Sequence, residues 1–291
     1  MQYTFCMLPE IETLYKTDFP PLLREIPDPP KQLFLRGTLP SEKRTWIAVV
    51  GSRKYTPYGK QVCEYLIQGL SSFPVTIVSG LALGIDSIAH KAALEAGLLT
   101  VAVPGSGLDE RVLYPRSNLS LSRAICESKG ALISEFEPLF EATPWGFPQR
   151  NRIMAGISHA TLLIESAPQS GTLITARLAT EYNRELFVVP HSIFDETGKG
   201  NHQFLKLGAT PVTEPNDIIQ ALGITPDAKR AQKNAHLSQS EMLVLRNLEK
   251  PQLRDDLIRE LSMPAQEANV LLSKMELRGH IVEEMGMIRK V

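Results

Sequence analysis

The sequence is poor in cysteine, has no long apolar run and lacks an excess of charge of either sign. Its three cysteines in 291 residues, Cys6, Cys63 and Cys126, are widely spaced and form no CxxC pair. That excludes a disulfide framework or a thiolate zinc site and reads as small buried hydrophobes. No stretch approaches the ~20 apolar residues of a membrane-crossing helix. The opening MQYTFCMLPEIETLYK carries acids where a signal peptide needs a basic region, so a cytoplasmic protein is expected. The net charge is −1, and residues 45–224 carry 14 basic and 16 acidic side chains. A broad basic field is excluded, and nucleic acid would have to be met by a local patch. The six histidines show no metal-ligand spacing. There is no P-loop, and the first glycine turn, GSRKYTPYG, is not GxGxxG. Neither a metal nor a cofactor is expected.

What is present is alternation. Residues 1–44 are rich in proline (Pro20, Pro21, Pro27, Pro29, Pro30) and read as an extended lead-in, because prolines at this density oppose a regular helix. From Trp46 onward, short apolar runs alternate with segments of helical spacing. Strands are expected at 46–50, 75–79, 99–103, 131–134, 161–165 and 186–190. Helices are expected near 58–72, 86–97 (with Asp86 as its N-cap), 118–129, 148–158, 172–183 and 215–222. Such alternation implies an α/β fold: a Rossmann-like, doubly wound, mostly parallel sheet over 45–224. Residues 225–235 read as a polar linker. Three helical segments (239–249, 253–262, 264–278) and two short strands then suggest a winged-helix domain over 236–291.

Three glycine-bearing turns fall beyond the carboxyl ends of strands, where folds of this class place ligands. The first holds Gly51, Ser52 and Arg53, the second Ser79, Gly80 and Gly84, and the third Ser170, Gly171 and Thr172. Freed backbone N–H groups, hydroxyls and a guanidinium fork suit phosphate. Any one of these turns alone is a tight strand-to-helix turn; three in one sheet point to a ligand. A fourth element, FPQRNRI, sets Arg150, Asn151 and Arg152 beside Phe147 and Trp145. Phosphate donors next to a ring suit a single strand, whose bases stack while its backbone is neutralised. The alternative is that the rings are core and the arginines pair with Glu135, Glu137 or Glu141.

The ordered blocks GSR, SGLALGID, GSGLDERVLYP, ISEF, FPQRNRIMAG, ESAPQSGTLITA and GNHQFLKLGA resemble the signature segments of the DprA/Smf DNA-processing family, over roughly residues 20–222. That resemblance implies a Rossmann-like protein that is not an enzyme. It would bind single-stranded DNA, form a homodimer and hand DNA to the RecA recombinase during natural transformation. It also places Arg53 and Arg116 at phosphate contacts and Phe147 at a base contact. The chain departs from the pattern at Leu83, where the family often has a basic residue, and at His191, where glycine is common. On that resemblance, the N-terminal helical domain of many relatives is expected to be missing or reduced to residues 1–44.

The competing class is a phosphoribohydrolase of the "lonely guy" type on a similar sheet. Its chemistry needs a placed carboxylate, and Thr175 stands where that loop would carry glutamate; Glu110 is a superficial substitute. The C-terminal segment 236–291 has 8 basic and 9 acidic residues, with Lys274 and Arg278 offset by Glu267 and Glu276. That is a poor footprint for duplex DNA.

Overall fold

The structure is a computed structural model that describes residues 9–226, 239–248, 250–261, 263–277, 280–284 and 286–290. The described residues fall into two compact units, the first ending at Pro226.

The first unit opens with β1 (Ile11–Tyr15), a four-residue helix α1 (Pro21–Arg24) and β2 (Gln32–Gly37). It continues with β3 (Thr45–Val50), α2 (Pro57–Gly69), β4 (Val75–Ser79), α3 (Ile85–Glu95), β5 (Leu99–Ala102) and α4 (Leu119–Glu127). There follow β6 (Ala131–Ser134), α5 (Gly146–Ile157), β7 (Ala160–Leu163), α6 (Thr172–Glu181), β8 (Glu185–Val188), α7 (Lys199–Lys206), β9 (Thr210–Pro211) and α8 (Pro215–Ala221). The nine strands form one sheet in the order β1-β2-β6-β5-β4-β3-β7-β8-β9. From β6 to β9 all neighbours are parallel, whereas β1 and β2 run antiparallel at one edge. The Rossmann-like, mostly parallel α/β plan is therefore present.

The central strands are continuous apolar runs because both faces are covered. Trp46, Ala48 and Val50 of β3 pack on one side with Ile153, Met154 and Ile157 of α5 and Ala176 of α6. Ile47 and Val49 pack on the other with Leu66 and Ile67 of α2 and Ile88 and Ala92 of α3.

The lead-in differs from the extended segment expected over 1–44: its described part supplies two strands and a helical turn. The prolines lie between β1 and β2 and interrupt neither, and Pro21 takes the first position of α1, where no N–H is needed. Leu33, Phe34 and Leu35 of β2 are buried.

The sheet's winding reverses at β3. The chain steps outward through β4, β5 and β6, then returns to place β7 on the other side of β3. The carboxyl ends of β3 and β7 flank this switch point, which is where sheets of this type form a crevice.

The second unit holds α9 (Gln239–Asn247), β10 (Gln252–Leu253), α10 (Arg254–Glu260), α11 (Ala265–Leu277), β11 (Ile281–Glu284) and β12 (Met287–Lys290). Its strands pair in the order β10-β12-β11 around a core that includes Val244, Leu257, Leu272, Met275 and Ile288. Most of the expected linker, residues 227–235, and Arg278 lie outside the described residues.

Candidate functional site

The turn after β3 is shaped by close approach. A Cβ at Gly51 would meet the Ile85 side chain at 2.6 Å, and one at Gly84 would meet the Ser52 carbonyl oxygen at 2.3 Å. Gly84, at φ +84, caps α3. The expected cap, Asp86, instead lies inside the first turn, where its carboxylate accepts the Gly80 N–H at 3.1 Å. The Ile85 N–H donates to the Ser52 carbonyl at 3.1 Å, tying the first two glycine turns together. The Ser52 hydroxyl closes its own turn, accepting the Lys54 N–H and donating to the Lys54 carbonyl. Ser79 is buried and donates to the Val49 carbonyl. These serines shape the turns; their hydroxyls are already engaged.

Arg53 is exposed, and its guanidinium carbon lies 4.9 Å from the centre of the Phe147 ring. Phe147, in the first turn of α5, packs so closely on Gly105 that a Cβ there would meet the ring at 2.6 Å. The Tyr114 ring lies 5.7 Å from it, tilted by 52°. Together with Gly80, Ala82, Leu83 and Pro115 these residues line a cleft of about 30 Å³. Its apolar wall, Leu83 and Tyr114, is half exposed. The loop from Gly80 to Gly84 includes Leu81 at φ +58, a conformation that costs energy for a side-chain-bearing residue. Asn118 holds it there, donating to the Leu81 carbonyl and the Ser87 hydroxyl, both at 2.8 Å. Tyr114 lies in the GSGLDERVLYP block, which did not single it out, and Asn118 is marked by no sequence motif.

Arg150 does not reach the cleft as expected. Only 4% of it is exposed, and its guanidinium lies against Gly80, where an added Cβ would meet Nη1 at 1.6 Å. Nη1 also lies 3.0 Å from the Met154 sulfur. Burial pushes the Arg150 guanidinium down to about 10, opposed by the attraction of Asp86. Burial raises the Asp86 carboxyl, with Arg150 as the largest opposing influence. The two buried charges support each other behind the glycine wall.

Arg152 is likewise engaged within the fold. It pairs with Glu135 and donates to the Asp28 carbonyl at 2.8 Å, which fastens α5 to the lead-in. The alternative of carboxylate pairing holds for this residue. Asn151 is buried and donates to the Gly171 carbonyl at 3.3 Å. Arg116 is exposed beside the cleft, and its Nη1 donates to the Glu110 carbonyl.

At the third turn, Thr172 donates to the Gly51 carbonyl at 3.1 Å, bridging the switch point. The Ser170 hydroxyl accepts the Thr172 N–H at 3.2 Å. Gly171 is exposed with open space where a side chain would stand. Glu165, at the same crevice, is fully buried and accepts the Thr56 N–H at 2.9 Å and the Thr56 hydroxyl at 2.7 Å, at the start of α2. Thr175 is buried in α6, and Glu110 is paired with Arg123. Among the described residues, no helix is long and apolar enough to cross a membrane.

The chain matches the family model described as DNA recombination-mediator protein A over residues 10–223. It is similar to Protein Smf of Escherichia coli, with 41% identity over 204 residues, which cover 70% of this chain and 54% of that one. It spans about half the length of this relative. Among solved structures it resembles DNA processing protein A of Streptococcus pneumoniae, with 37% identity and a TM-score of 0.67 over 72% of this chain and 74% of that one. It also resembles DNA processing protein A of Helicobacter pylori, with 30% identity and a TM-score of 0.64 over 74% of this chain and 96% of that one. The latter structure concerns that protein's single-stranded DNA binding mode.

Proposed function

The chain belongs to the DNA recombination-mediator protein A family, and from that premise we propose that it binds single-stranded DNA at the Arg53–Phe147 cleft without chemically altering it. The carrying observation is an exposed guanidinium held over an aromatic ring, with a second ring, Tyr114, beside it. A phosphate displaces water from Arg53 while a base stacks on the Tyr114 and Phe147 rings at the mouth of the cleft, which a duplex with its bases paired inside cannot do. The protein protects incoming strands and hands them to the RecA recombinase in natural transformation and recombination, acting in the cytoplasm as a homodimer. The C-terminal unit is a winged helix whose balanced charge suits protein contact or a supporting DNA role.

The test is fluorescence anisotropy with single- and double-stranded oligonucleotides of one length across a salt series. The expected result is preferential single-strand binding that weakens as salt rises. Equal affinity for the duplex would refute the proposal.

A further inference from the structure

We propose that the loop following β8 is a second base-stacking station, so that one strand runs along the carboxyl edge of the sheet from Phe147 to Phe194. This rests on the single-strand reading above and extends it across the switch point.

The loop's tip presents Ile193 and Phe194 to solvent, 73% and 87% exposed. Its base, by contrast, is firmly held. The His191 ring lies 2.9 Å from the Ile164 carbonyl through Nε2 and meets the Tyr58 ring edge-on at 5.0 Å. Asn201 donates to the Ile164 and Val189 carbonyls at 2.8 and 2.9 Å. A Cβ at Gly198 would meet His191 at 2.3 Å, so the loop closes tightly on itself. A loop fixed at its base that offers an apolar pair to water at its tip is pre-organised for a ligand with an apolar face.

Position selects that ligand. Between β5, whose following turn carries Phe147's packing partner Gly105, and β8 the sheet runs β5-β4-β3-β7-β8, all parallel. Four strand spacings of ~4.8 Å make about 19 Å. That is the length of about six stacked nucleotides at a rise of ~3.4 Å each. The intervening ground is the switch-point crevice, with exposed Lys54, Tyr55 and Gly171. Asp195 and Glu196 beside the tip disfavour a phosphate there; Glu196 is paired with Lys199. The station therefore takes a base, and the phosphates are left to Arg53 and Lys54.

The experiment measures affinity for dT4, shorter than the span, and dT15, longer than it, by fluorescence anisotropy on the full chain. Phe194→Ala should weaken dT15 binding about fivefold or more, the range of one base–ring stack, and leave dT4 unchanged. Phe194→Trp should restore it. Wild-type affinity of Phe194→Ala for dT15 overturns the second station alone, as does a change in sedimenting mass with DNA binding intact, which makes the loop a protein contact. Failure of the wild type to bind either oligonucleotide overturns both readings.

Discussion

Arg53 and Arg150 border the same glycine, Gly80, and do opposite things. Arg53 lines the cleft with its guanidinium exposed to water. Arg150 lies against the Gly80 backbone with almost no exposed surface and with Asp86 as its neighbouring charge. A guanidinium in water exchanges that water for a phosphate at little cost, whereas one already desolvated supports the wall it lies behind. The wall is glycine because a side chain there would collide with Arg150, and this brings the Gly80 backbone to the surface of the cleft.

The largest test of this contrast is Arg150→Ala. It removes the charge that offsets buried Asp86 and should cost about 3–5 kcal/mol of stability in chemical denaturation. A variant as stable as the wild type that loses DNA binding would make Arg150 a ligand instead. Next comes Arg53→Ala, which should leave the denaturation midpoint unchanged and weaken single-strand binding by ~1.5–3 kcal/mol. Arg116→Ala should act in the same direction but less, because one of its nitrogens is engaged with the Glu110 carbonyl. The smallest effect on DNA binding is expected for Arg152→Ala, although removing the guanidinium beside the largely buried Glu135 should cost about 2–4 kcal/mol in stability. Its DNA affinity should match the wild type; a loss at constant stability would return Arg152 to the binding surface.

The central sheet was legible because strands buried on both faces read as short, mostly apolar runs, as VTIVS and TLLI do. The lead-in was not, because prolines dominated the impression of a segment whose strands lie on either side of them. α7 was missed because GNHQFLK buries little besides Phe204. In the site, Arg53 was readable from its turn and Phe147 from the family pattern. The inward course of Arg150 was also legible: it shares a helical face with Met154 and Ile157, at i, i+4 and i+7, and both are buried. Beside Arg152 and two rings, its charge outweighed its position. Asn118 carried no signal, since the loop it holds is distant in sequence.

The two edges of the large sheet limit how copies of this chain can associate. At one end β9 is two residues long and contains Pro211, which has no N–H to offer a further strand. At the other, β1 is a short antiparallel strand with charged Glu12 on its exposed side. The lead-in thus serves as a terminator: it occupies the hydrogen-bonding edge that β6 would otherwise present to any passing strand. Self-association through backbone zippering is discouraged at both ends. Contacts between copies would be left to side-chain faces, where geometry and not generic strand pairing decides the partner.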